Sequence, residues 1–209
     1  MGTDNSQPQK KTLTDNARVL TRGIVDPIVT VLARLGVSPD ALTVLGMLFH
    51  ILFAWLIANG RIQLAGVAIF FLIPMDALDG ALARKIGRKG NFGAFLDSTM
   101  DRIAEIILYV GYMIYFSNQD EIWFVAAAYA AVTGSLMVSY TRSRAEALGV
   151  SCKVGLFTRV ERYVVIIASL IINQPEWGLV ILALGTYFTV IQRGVHVWRQ
   201  MKKQEIQQG

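Results

Sequence analysis

The chain has 209 residues, 54% of them hydrophobic and 17% charged, and carries a formal net charge of +5. Its mean hydropathy of +0.45 exceeds what the surface of a soluble domain hides, so the composition excludes an ordinary water-soluble domain and points to a membrane protein. The basic balance fits an anionic membrane surface or a phosphorylated substrate better than nucleic acid, and the lone Cys152 excludes an internal disulfide and a cysteine metal cluster.

In chain order, residues 1–12 are polar, lack the apolar run of a signal peptide and are expected to be disordered. Residues 13–36 set apolar positions at helical spacing between Arg18, Arg22 and Arg34, as in an amphipathic helix lying in the membrane interface. Six apolar segments follow, roughly Ala41–Asn59, Leu64–Ala83, Phe95–Phe116, Ile122–Ser139, Val160–Ile172 and Trp177–Val197. About 20 residues cross a bilayer, and tilt or flanking turns absorb the deviations; the fifth segment is the short one. No linker divides them. Residues 13–201 therefore read as one all-α integral membrane domain, with six transmembrane helices after an interfacial helix, and 202–209 as a polar tail.

The connections at Asn59–Arg61, Asn118–Glu121 and Asn173–Glu176 are brief, and 19 of the 20 Lys and Arg residues fall on the opposite side, Arg61 excepted. The positive-inside rule then predicts both termini in the cytoplasm. It also predicts Asp76, Asp79, Asp97 and Asp101 at the cytoplasmic ends of the second and third helices. Asp76 and Asp79 are three apart and Asp97 and Asp101 four apart, so each pair shares a helix face. The short loop between is expected to hold the two helices side by side and antiparallel.

Four converging carboxylates repel one another unless cations lie between them. Hard oxygen donors favour Mg²⁺ or Mn²⁺, and four carboxylates suffice for two ions. Gly80 leaves backbone open to a ligand, Ala83 and Gly93 permit close helix packing, and Arg84 lies within reach of a phosphate beside the metals. A cation transporter is the competing class, but it usually places its ionisable groups near the bilayer midplane rather than at one edge.

The spacing of Asp76, Asp79, Gly80, Ala83, Arg84, Gly93, Asp97 and Asp101 resembles, in full, the signature of the CDP-alcohol phosphatidyltransferase family, and the helix count extends the resemblance over nearly the whole chain. The resemblance implies that a CDP-lipid binds with its pyrophosphate on two metal ions, an acceptor hydroxyl attacks the lipid-side phosphorus, and CMP leaves. It implies Asp76, Asp79 and Asp97 as metal ligands, with Asp101 as general base and contact to the second ion. It further implies CDP-lipid contacts from Asp40, Ala41, Leu42 and Thr43 at the start of the first helix, from Gly80 and Arg84, and from the backbone of Gly90, where relatives often carry Thr. Asp40 and Thr43 read equally well as helix N-terminal polar residues. Members are commonly homodimers of the prokaryotic plasma membrane.

The acceptor is expected to be recognised elsewhere. The stretches VSYTRSRAEALG, LFTRVERY and VIQRGVHVW resemble those of prokaryotic phosphatidylinositol-phosphate synthases within the family. That resemblance implies Arg142, Arg144, Arg159 and Arg193 as ligands of an inositol phosphate, and thus transfer from CDP-diacylglycerol to inositol 1-phosphate (equally, 3-phosphate). Glycerol 3-phosphate is the competing acceptor. Arg162 serves equally well as a membrane anchor, whereas Arg193, inside an apolar helix, needs a partner.

Overall fold

Within residues 25–72, 76–88 and 91–208, which the computed structural model describes, every regular element is an α-helix; of Asp76, Ala77, Gln207 and Gln208 only the backbone is described. The helices are α1 (25–34), α2 (Pro39–Ala58), α3 (Ile62–Leu72), α4 (Asp76–Lys85), α5 (Asn91–Ser117), α6 (Ile122–Ala147), α7 (Arg159–Ile171) and α8 (Pro175–Gln208). The predicted interfacial helix is described only in its second half, α1, so Arg18 and Arg22 lie outside the described residues, as does the tail 1–12.

Local chemistry explains where α2 starts. Ser38 is extended and its Oγ accepts the Ala41 N–H at 3.1 Å, Pro39 fills the first helical position, and Asp40 lies in the first turn beside the helix's positive end. Among the described residues three helices are long and apolar enough to cross a membrane: α2, α6 and α8. α5 has the length, but Asp97, Asp101, Arg102 and Glu105 interrupt its apolar sequence. α7 has 13 residues, about 20 Å at 1.5 Å per residue, less than a bilayer's hydrocarbon core.

Two expected boundaries change, at the ends of α6 and α8. The second segment is not described as one span: α3 and α4 flank residues 73–75, which lie outside the description and include Pro74. α6 runs on from Ser139 to Ala147, so Arg142 and Arg144 belong to its last turns. α8 reaches Gln208, making the expected polar tail a helical extension. Lys202, Lys203 and Gln204 are good helix formers, so polarity alone did not end the helix.

α2 packs chiefly on α5 and α6 on α8; α5 meets α6, α3 meets α7, and α7 meets α8. One apolar core joins these helices through Phe53, Ile69, Leu108, Tyr112, Ile166 and Leu179. A Cβ on Gly111 would stand 2.6 Å from the Ala54 backbone, so only glycine permits this α2–α5 approach. α4 sits on a separate cluster, where Leu78 and Leu82 meet Val29 of α1. Many large apolar side chains face outward, including Phe71, Trp123, Leu184 and Ile191, a surface suited to lipid.

Candidate active site

α2 is the shared neighbour of the aspartate helices, packing on both α4 and α5. Among the described residues α4 and α5 are not an extensively packed pair. The N-terminal turns of α2 meet residues of both at the site. A cavity opens there, lined by Asp40, Thr43, Asp79, Gly80, Arg88 and Asp97 among others. An adjoining, narrower cavity shares Thr43, Asp79 and Asp97 and adds His50 and Asp101.

Asp79 is buried. Its Oδ2 accepts the Thr43 hydroxyl at 2.6 Å, and its Oδ1 accepts the N–H of Gly80. The Thr43 hydroxyl also lies 3.2 Å from the Pro39 carbonyl, but its one proton belongs to the shorter contact with the carboxylate. Asp97 stands close enough to Asp101 and Asp79 for their like charges to act on it. Asp101 lies one turn further along α5 and accepts from Arg159 Nη1 at 2.6 Å, with Arg102 Nη2 at 3.6 Å. Asp76 opens α4, three residues before Asp79; its side chain is outside the description.

No group of three described His, Cys, Asp or Glu side chains forms a ready-made ion cage. The donor chemistry nevertheless fits a hard divalent cation. Asp79, Asp97 and Asp101 line one cavity, and among the described residues buried Asp79 has hydrogen-bond donors but no basic ion-pair partner. A buried carboxylate next to like charges is stabilised by such a cation.

The nucleotide-side residues divide. Asp40, Thr43 and Gly80 line the wider cavity. Exposed Ala41 and half-buried Leu42 are not among its lining; Ala41 donates its N–H to the capping Ser38 Oγ, and Leu42 packs with the Val29–Leu78–Leu82 cluster. Arg84 is exposed, its Nη1 beside Gly80, and the basic residue in the lining is Arg88, which holds Asp40 at 2.8 Å. The motif does not single out Arg88 because it falls in the unspecified spacer between Arg84 and Gly93. Gly90 lies outside the described residues.

The arginines expected to hold an acceptor phosphate also divide. Arg159 stands on α7 over the Tyr163 ring at 5.8 Å and contacts Asp101. Arg142 is exposed and paired with Glu146 at 2.9 Å, and Arg144 is exposed. Arg193 is buried, and its partners are backbone carbonyls: Nε donates to Val154 at 2.8 Å and Nη1 to Val138. Those bonds answer the cost of a guanidinium inside an apolar helix and tie α6, the 148–158 connection and α8 together. Arg142, Arg162 and Arg193 remain close enough for their charges to interact.

Two neighbours of the site lie outside the motif. Glu105 continues the four-residue spacing of Asp97 and Asp101, and Arg162, three after Arg159, meets it in the core: Nε and Nη2 both lie 3.0 Å from Oε1. His50 lines the narrower cavity from α2. The first carries a periodic signal; the second carries none.

The sequence pattern of the CDP-alcohol phosphatidyltransferase family matches residues 36–191. The chain is 32% identical over 192 residues to phosphatidylinositol phosphate synthase of Cutibacterium acnes, covering 84% of this chain and 93% of that one. It is 33% identical over 191 residues to archaetidylinositol phosphate synthase of Methanothermobacter thermautotrophicus, covering 88% and 94%. The crystal structure of phosphatidylinositol phosphate synthase of Mycobacterium tuberculosis with CDP-DAG bound matches at a TM-score of 0.79 and 30% identity, over 84% of this chain and 94% of that one. The same enzyme in complex with manganese and citrate matches at 0.78 and 29%, over 83% and 88%.

Proposed function

The chain belongs to the CDP-alcohol phosphatidyltransferase family, and from that premise we propose that it transfers the phosphatidyl group of CDP-diacylglycerol to inositol 1-phosphate, releasing CMP. The observation that carries the acceptor reading is the 2.6 Å contact between Arg159 and Asp101. A general base and a phosphate-binding guanidinium in contact suit an acceptor bearing both a hydroxyl and a phosphate. The names of the bacterial and archaeal relatives point to the same acceptor class.

Asp76, Asp79, Asp97 and Asp101 would hold two Mg²⁺ or Mn²⁺ ions; manganese accompanies the mycobacterial relative. Bound there, the ions supply charge neutralisation for the pyrophosphate and the leaving CMP. Thr43 and the Gly80 N–H hold the Asp79 carboxylate in a fixed orientation. Asp40, Gly80, Arg84 and Arg88 face the cytidine diphosphate, with Gly90 contributing backbone, and Asp40 is kept in place by its Arg88 pair. Arg159, with Arg142, Arg144 and Arg193, receives the acceptor phosphate, and Arg193 also fixes the Val154 carbonyl. Asp101 takes the proton of the acceptor hydroxyl, whose oxygen forms the new bond to the lipid-side phosphorus as the bond to CMP breaks.

The same reading sets the site at the cytoplasmic edge of the plasma membrane, with both termini cytoplasmic, six crossings, an interfacial N-terminal helix and a homodimeric assembly. Support comes from the lopsided Lys and Arg distribution and the outward apolar surface. Purified protein given CDP-diacylglycerol should release CMP only with a divalent ion and an acceptor. Asp101→Asn should bind Mn²⁺ yet make no lipid product; product from glycerol 3-phosphate but not inositol 1-phosphate would sink the acceptor reading.

A further inference from the structure

His50 is buried in α2, four residues from Gly46, and faces the narrower aspartate cavity. Its Nδ1 lies 2.9 Å from the Gly46 carbonyl and its Nε2 2.9 Å from the Tyr163 hydroxyl. A carbonyl only accepts, so in the neutral ring Nδ1 carries the proton and Nε2 accepts from Tyr163. Among the described residues α2 and α7 are not an extensively packed pair, so this bond is a bridge between helices that otherwise meet little. One helical turn before Tyr163, the Arg159 guanidinium lies 5.8 Å from the Tyr163 ring centroid and reaches Asp101 at 2.6 Å.

The four groups form one line: Gly46 carbonyl, His50 imidazole, Tyr163 and Arg159, ending on Asp101. We propose that His50 and Tyr163 are positioning residues that fix α7 against α2 and so set the Arg159 guanidinium, the acceptor-phosphate ligand, at its working distance from Asp101. This rests on the assignment of Arg159 and Asp101 given above. The His50–Tyr163 bond ties the helix that carries the donor-side residues to the helix that carries the acceptor-side arginine. Weakening it therefore loosens acceptor capture while leaving CDP-lipid capture, which depends on α2, α4 and α5, in place.

The test is a set of steady-state measurements on the full chain in detergent. Tyr163→Phe keeps the ring under Arg159 and removes only the hydroxyl; His50→Leu removes the acceptor nitrogen; His50→Gln returns an acceptor atom at about the same reach. Tyr163→Phe and His50→Leu should each raise KM for the acceptor about fivefold, the worth of one hydrogen bond, with KM for CDP-diacylglycerol changed less than about twofold. His50→Gln should recover most of the loss, and the double variant should be no worse than either single one. Equal rises in both KM values, multiplying losses in the double variant, or an unchanged acceptor KM would overturn the proposal. The split is read on whichever phosphorylated alcohol the unchanged protein accepts. A wrong acceptor assignment thus appears in the unchanged protein, and a wrong positioning assignment only in the variants.

Discussion

Asp101 and Glu105 stand one turn apart on α5, and each meets an arginine of α7, yet the two pairs do different things. The Asp101–Arg159 pair is partly open to the cavity, whereas the Arg162 and Glu105 side chains are 1% and 4% exposed. For the open pair the chemistry is at stake. Asp101→Asn removes the proposed base and should lower transfer about 100- to 10,000-fold while Mn²⁺ still binds through the remaining carboxylates, measured by CMP release and metal titration. For the closed pair the fold is at stake. Glu105→Leu leaves a buried guanidinium without its carboxylate and should cost about 3–5 kcal/mol; the double change Glu105→Leu with Arg162→Met should restore most of it. Thermal unfolding in detergent decides this, and equal losses in the single and double variants would contradict it. Cys152 gives a third residue-level expectation: burial pushes its thiol up and closes it to reagents, so the folded protein should resist maleimide labelling until denatured.

The elements differ in how far the sequence revealed them. The start of α2 was legible because Ser38, Pro39 and Asp40 are local signals, and the aspartate spacing was legible because it repeats at helical intervals within α4 and α5. The seating of α2 against both of those helices was not, since it depends on a close approach at Gly111, where a Cβ would stand 2.6 Å from the backbone of Ala54, a residue far away in the sequence. Gly111→Ala should push α2 from α5 and destabilise the bundle by about 1–3 kcal/mol, with transfer falling as the site loosens; an unchanged unfolding midpoint would contradict the packing account. The carbonyl partners of Arg193 were also hidden. Sequence placed a costly charge in a helix and inferred a phosphate partner, whereas the nearest acceptors are carbonyls from α6 and the 148–158 connection, fixed only when three segments assemble.

At the scale of the whole molecule, the chain places 19 of its 20 basic residues and its four motif aspartates on one predicted side and turns many large apolar side chains outward. In intact cells an impermeant maleimide should label Gln119→Cys, in the connection opposite the site, and should label Lys203→Cys only after permeabilisation; the reverse pattern would invert the proposed orientation. Both changes are made with Cys152 retained, because it is buried. The most direct test of the whole account gives the purified protein CDP-diacylglycerol, Mg²⁺, and equal concentrations of inositol 1-phosphate and glycerol 3-phosphate in one vessel. The account predicts phosphatidylinositol phosphate and CMP in equal amounts, both abolished by a chelator. Phosphatidylglycerol phosphate as the sole lipid product, or transfer that continues without a divalent ion, would contradict it.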